Sequence, residues 1–234
     1  MFEVFQKENI EKLKTTNPLF LHVVSSAVAE AGFEPRGTVV RIVRTLRGGF
    51  RPKGAEEEFE GVCSMPRACW EPWAVFRKPL ERGLTLAENL RRYDAGALRR
   101  NPDGTPFTDV IISERTPETE RNIAPHPTLK PQSFMRRIVW AALPTGKGQV
   151  LDTFCGAGST LAAAASPGYD STGLQVSKEY CAVAREPMPK LALLRVNPWR
   201  TKGNNGDIAG ALKMFGMGLN RFSDKEGSEQ GVQA

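Results

Sequence analysis

An α/β fold with a parallel, doubly wound sheet is predicted for this chain, and three observations predict it. The second half alternates short apolar or β-branched runs with stretches of helical spacing. A glycine turn joins the first of those strands to its helix. Hydrophobic residues make up 40% and charged residues 25% of the 234 positions, the balance of a globular chain with a sizeable core. Alternation of this kind places a ligand at the carboxyl ends of the strands.

Taken in order, Pro18 to Ala31 (PLFLHVVSSAVAEA) has helical spacing and is closed by Gly32, a typical helix stop. The β-branched run Thr38 to Thr45 reads as a strand. Gly48, Gly49, Pro52 and Gly54 then break regularity, and Glu56 to Glu60 is a charged loop. Trp73 to Phe76 suits a short strand. Asn89 to Arg121 is polar with Pro and Gly scattered through it, an irregular excursion of the kind that carries function. Gln132 to Leu143 reads as a helix, Gln149 to Asp152 as a strand and Gly158 to Ala165 as an Ala-rich helix. Tyr169 to Leu174 is a second strand, and Lys178 to Arg185 a further helix. Past Asn197 the chain is rich in Gly and polar residues, and disorder is predicted for the last dozen.

A mean hydropathy of −0.35, with no apolar stretch near the roughly 20 residues of a membrane span, argues against a transmembrane helix. The start, MFEVFQKENIEKLK, is charged where a signal peptide needs its apolar stretch. Cys63, Cys69, Cys155 and Cys181 show no C-x-x-C spacing, which argues against zinc or any other metal and reads as free thiols in the cytoplasm. Between Arg36 and Arg100 stand 14 Lys or Arg, 12 of them Arg, against 8 Asp or Glu; that excess equals the formal net charge of +6. A segment so rich in Arg, with Trp70, Trp73 and Tyr93 interleaved, suits phosphate contacts and base stacking. Arg44, Arg47, Arg51 and Lys53 are its candidate DNA contacts, and a solvated basic surface is the plain alternative.

The sharpest chemical signal is Val150-Leu151-Asp152-Thr153-Phe154-Cys155-Gly156-Ala157-Gly158-Ser159-Thr160. A strand runs into a carboxylate, a Gly-x-Gly turn and the first turn of a helix. A phosphate-cradling loop needs Lys after its last Gly, where Ser159 stands. A dinucleotide fingerprint needs a third Gly, where Leu161 stands. An adenosyl ligand carrying a carboxylate and an ammonium remains. About twenty residues earlier, His126-Pro127-Thr128-Leu129-Lys130-Pro131 fixes an extended turn ahead of a helix.

Together these stretches resemble the amino-group DNA methyltransferases of bacteria and phages, which carry an HP-T-x-KP turn and then a DPF-x-G-x-G-[ST] loop. Gly173-Leu174-Gln175 with Tyr180 resembles the family's next motif, G-x-E followed by Tyr. The resemblance implies a Rossmann-like methyltransferase sheet with S-adenosylmethionine as cofactor. It implies methyl transfer to an exocyclic amino nitrogen of adenine or cytosine in double-stranded DNA, as in restriction–modification. By position it places Asp152, Phe154, Gly156 and Gly158 at the methionine end, with Ser159 capping the helix beneath. His126, Thr128 and Lys130 line the pocket from the other side. The ribose-binding acid falls on Gln175, whose neutral amide makes the weaker bond, and Thr153 replaces the usual Pro.

The family's [DNS]-P-P-[YFW] tetrapeptide, which accepts the amino protons and stacks on the flipped base, has no counterpart in this sequence. Glu71-Pro72-Trp73 is the nearest candidate. The sheet is therefore expected to be incomplete on its N-terminal side, with two unpaired strand edges that invite a second chain. The expected division is 1–88 for the distal catalytic region, 89–125 for target recognition, 126–196 for the cofactor unit and 197–234 for a polar tail. A truncated, inactive remnant that still binds DNA or cofactor is the alternative reading.

Overall fold

Two strands open the chain where charged and apolar residues alternate irregularly. β1 (Phe2–Gln6) and β2 (Asn9–Thr15) pair antiparallel, from Phe2↔Leu13 to Gln6↔Asn9. Phe2, Val4, Phe5, Ile10 and Leu13 are interleaved with charged residues there, a composition suited to a half-buried strand. This computed structural model describes residues 2–6, 9–15, 20–43, 49–126, 129–176 and 178–199. The predicted start of the first helix at Pro18, the predicted strand end at Thr45 and the tail beyond Trp199 lie outside them.

Helix α1 (Leu21–Glu30) leads into β3 (Glu34–Ile42) and, after a long connection, β4 (Trp70–Arg77). β3 begins earlier than the β-branched run suggests. A register shift between Pro35 and Gly37 admits the proline, which lacks an N–H to donate to the ladder. The stretch expected to be irregular contains three elements: the end of α2 (Leu86–Tyr93), then β5 (Val110–Ile112) and α3 (Glu118–Ile123). Thr85 and Glu88 form a capping box at α2, a T-x-x-E signal that the reading of this stretch as irregular passed over.

The second half follows the predicted order closely. It comprises α4 (Gln132–Ala142), β6 (Gln149–Asp152), α5 (Ser159–Ala165), β7 (Asp170–Gly173) and α6 (Lys178–Arg185). A further helix, α7 (Pro187–Ala192), carries Pro187 in its first turn, where the ring's fixed φ is tolerated.

The seven strands form one sheet in the order β5-β3-β4-β2-β1-β6-β7. Parallel pairing is confined to β3 with β5 and β6 with β7; the other neighbours are antiparallel. Among the described residues, the two unpaired edges expected beside the Asp152 strand are not found. β1 lies antiparallel on β6 through Glu3↔Leu151, Val4↔Val150 and Phe5↔Gln149, and β2 lies on β4 down to Thr15↔Trp73. The hairpin thus closes the sheet from within the chain and satisfies both rows of backbone groups.

Val39, Trp73, Val75, Ile111 and Val150 form a core with Phe134, Met135, Ile138 and Val139 of α4 and Ala163 and Ala164 of α5. α4 supplies this face through residues spaced three and four apart. A second cluster joins Ala124, Leu129, Ala157, Ala162 and Leu191. These two cores fix the turn after β6 and the turn before α4 against each other.

Candidate functional site

The strand β6 ends at Asp152, which is 5% exposed. Its Oδ1 accepts the Phe154 N–H at 3.0 Å, a local turn that Asp favours. The Asp152 carbonyl accepts Leu174 N–H at 2.8 Å, and Cys155 N–H donates back to the Leu174 carbonyl at 3.1 Å. The loop is thereby tied to the end of β7. Gly156 (φ 51) and Gly158 (φ 80) both occupy the left-handed region, where a side chain is strained. A Cβ on Gly156 would lie 3.4 Å from His126 Cε1, and one on Gly158 would lie 3.3 Å from Met188 Cβ of α7. His126 and the glycine turn, thirty residues apart in sequence, are therefore in contact. Burial, with the Asp152 carboxylate and Cys181 nearby, pushes the Cys155 thiol up from its ordinary value, so it stays protonated at neutral pH.

Ser159 does not cap α5; Gly158 holds the N-cap position, with no side-chain cap bond. The Ser159 hydroxyl accepts the Lys130 N–H at 3.3 Å instead. Its carbonyl accepts from Gln132 Nε2 at 2.9 Å. Gln132 is fully buried, and its backbone N–H donates to Glu120 Oε2 at 2.9 Å, satisfying an amide at the start of α4. Burial raises the Glu120 carboxyl, against the pull of the Gln132 amide and Arg136. Gln132 and Glu120 were not singled out in the sequence, because only the assembled turn shows what they support. Phe154 is 63% exposed above the loop, Gln175 is half-buried just beyond β7, and Thr128 lies outside the described residues.

Of the sequence candidates for proton acceptance, Trp73 is 2% exposed and meets Phe134 edge-on, ring centroids 5.0 Å apart. It belongs to the core rather than to a base-stacking surface. Pro72 is buried within β4. Both Glu71 oxygens accept Lys130 Nζ at 2.9 Å, and Oε1 accepts Arg41 NH1 at 3.2 Å. Burial works to raise the Glu71 carboxyl, but Lys130 and Arg41 outweigh it and hold it below the usual carboxylate range. A carboxylate so held is a poor base.

Among the candidate DNA contacts, Arg51 and Lys53 are exposed, and Arg51 meets the exposed Glu60 at 3.5 Å, a contact of little energetic weight. Arg44 and Arg47 lie outside the described residues. The β3–β4 connection that carries all four leaves the sheet at the end where Asp152 lies, since β3 runs antiparallel to β4 and β4 antiparallel to β6. Among the described residues no group of His, Cys, Asp or Glu could hold a metal ion, and no helix is long and apolar enough to cross a membrane.

A carboxylate closing a strand flanked on both sides, a turn of two left-handed glycines and an α/β sheet in this order define the Rossmann-like methyltransferase class. Two solved structures share the fold: M1.HpyAVI in complex with SAM (TM-score 0.53, 17% identity, 75% of this chain and 72% of that one) and M1.HpyAVI alone (TM-score 0.51, 14% identity, 76% and 72%). Residues 64–186 match the family model described as DNA methylase, of the N6/N4 methyltransferases. That is more than half of the chain, and the chain belongs to this family. Type II methyltransferase M2.DpnII of Streptococcus pneumoniae is 32% identical over 94 residues, 40% of this chain and 35% of the relative. Type II methyltransferase M.HindIII of Haemophilus influenzae is 33% identical over 106 residues, 42% of this chain and 33% of the relative. The matched region spans about a third of the length of these relatives.

Proposed function

We propose that this chain binds S-adenosylmethionine at the carboxyl end of β6 and serves in methyl transfer to an exocyclic amino nitrogen of adenine or cytosine in double-stranded DNA. The observation that carries the reading is the contact of His126 with the Gly156 turn directly after Asp152. It brings both sequence motifs together: a Cβ on Gly156 would rest against the His126 ring, while one on Gly158 would press on Met188 of α7. Asp152 would meet the ammonium of the methionine end, and the turn amides its carboxylate. Gln175 would bond the ribose hydroxyls. Bound there, S-adenosylmethionine supplies a methyl group on a positively charged sulfur.

The exposed Arg51 and Lys53, on a connection leaving the same end of the sheet, support DNA as the partner. The compartment is then the cytoplasm, in keeping with four free cysteines. Removal of the amino proton further needs an acceptor, and Glu71, already engaged by two cations, is not placed to be one. The test is calorimetry with S-adenosylmethionine, followed by labelled-methyl transfer to mixed-sequence duplex DNA. Absence of cofactor binding by the folded chain overturns the reading.

A further inference from the structure

Glu71 is the second residue of β4, at the same end of the sheet as Asp152, and its side chain is only 13% exposed. Two donors make three hydrogen bonds to it: Lys130 Nζ to both oxygens at 2.9 Å and Arg41 NH1 to Oε1 at 3.2 Å. Arg41 is itself anchored. It is 5% exposed at the side chain, donates through NH2 to the Glu114 carbonyl at 3.2 Å, and sets its guanidinium 4.9 Å from the Phe134 ring centroid. Lys130, whose ammonium is spoken for by Glu71, gives its backbone N–H to Ser159 Oγ at 3.3 Å. Ser159 follows Gly158 directly. One continuous path of bonds therefore runs from β3 and β4 through Lys130 to the glycine turn.

We infer that Glu71 is a positioning residue for the cofactor loop, holding Lys130 by its ammonium so that the Lys130 amide fixes Ser159 and, with it, the Gly156–Gly158 turn. This rests on the reading that the turn binds S-adenosylmethionine. Three physical points support it. A half-buried carboxylate facing two cations keeps its geometry because losing it would strand Lys130 and Arg41 without a counter-charge. The donor in the bond from Lys130 to the Ser159 hydroxyl is a backbone N–H, so its direction is set by where the turn before α4 sits rather than by a flexible lysine side chain. Lys130 also sits between Leu129, 8% exposed in the second core, and Pro131, so the turn has little freedom to compensate.

Five proteins decide the matter: wild type, Glu71→Gln, Glu71→Asp, Lys130→Met and the double variant Glu71→Gln/Lys130→Met. For residues acting through one contact, Glu71→Gln and Lys130→Met should each weaken S-adenosylmethionine binding by about tenfold, and the double variant by no more than either alone. Glu71→Asp, keeping the charge, should recover most of the affinity. In the cofactor-free protein, amide exchange at Lys130 should accelerate in Glu71→Gln while that of Val150 in β6 stays at the wild-type rate. Additive losses in the double variant would make Lys130 a direct cofactor contact and overturn the inference, as would unchanged exchange and affinity in a folded Glu71→Gln. If wild type binds no S-adenosylmethionine while the exchange result holds, the cofactor reading falls and the positioning of the turn by Glu71 stands.

Discussion

The imidazole of His126 lies against Gly156, close enough that a Cβ there would stand 3.4 Å from Cε1. The replacement Gly156→Ala meets that ring and also forces a side chain into φ 51, at about 1–2 kcal/mol for the conformation alone. It should lower S-adenosylmethionine affinity at least about tenfold and the thermal midpoint by about 2–8 °C. Calorimetry and thermal denaturation read the two effects separately.

Asp152 shapes the turn by accepting the Phe154 amide and supplies the charge proposed for the ammonium. Asp152→Asn retains an acceptor for the amide and loses the charge, whereas Asp152→Ala loses both. Affinity should fall in the order wild type, Asn, Ala. Equal affinities for wild type and Ala would remove Asp152 from the site.

Gly173 is required by space. A Cβ would come within 2.6 Å of Leu161 Cδ1 and 2.9 Å of Cys155 Sγ. Gly173→Ala should destabilise the fold by about 1–3 kcal/mol, as overpacking does, and Leu161→Ala should restore part of the loss. Thermal midpoints of the three variants check this.

Glu120 gives stability a distinct dependence on pH. Burial raises its carboxyl, so between the unfolded and the folded value the native state holds more protons than the unfolded one. Its contribution is therefore lost as pH rises through that window, upward from the ordinary carboxylate range. Glu71, shifted downward, acts with the opposite sign, its contribution disappearing as pH falls through the folded value. Urea unfolding as a function of pH should show Glu120→Gln flattening the alkaline-side decline and Glu71→Gln flattening the acid-side one.

For DNA, replacing Arg44, Arg47 and Arg51 together should flatten the slope of log affinity against log salt by up to about three units. An unchanged slope would assign these arginines to structure or solvent.

The cofactor half of the fold was legible because its signals are local: β6 and α6 have their predicted bounds, and the glycine turn announces itself by composition. What escaped depends on tertiary pairing. β1 and β2 are strands because β6 and β4 lie beside them, and their charged residues obscure the alternation. The role of Ser159 was read as a local cap, while its actual partner, the Lys130 amide, stands 29 residues away. Trp73 looked like a stacking surface by its residue type and is core because Phe134 of α4 covers it.

The pairing of Glu3 with Leu151 also sets a schedule for the newborn polypeptide. The hairpin of β1 and β2 is synthesised before the strand that completes its pairing, which emerges roughly 150 residues later, on the order of ten seconds at about 5–20 residues per second. Throughout that interval its outer backbone groups on the β6 side have no native neighbour. Low temperature, which slows synthesis, and a chaperone that shields extended segments should therefore act at different moments on soluble yield: the first prolongs the vulnerable wait, the second protects it.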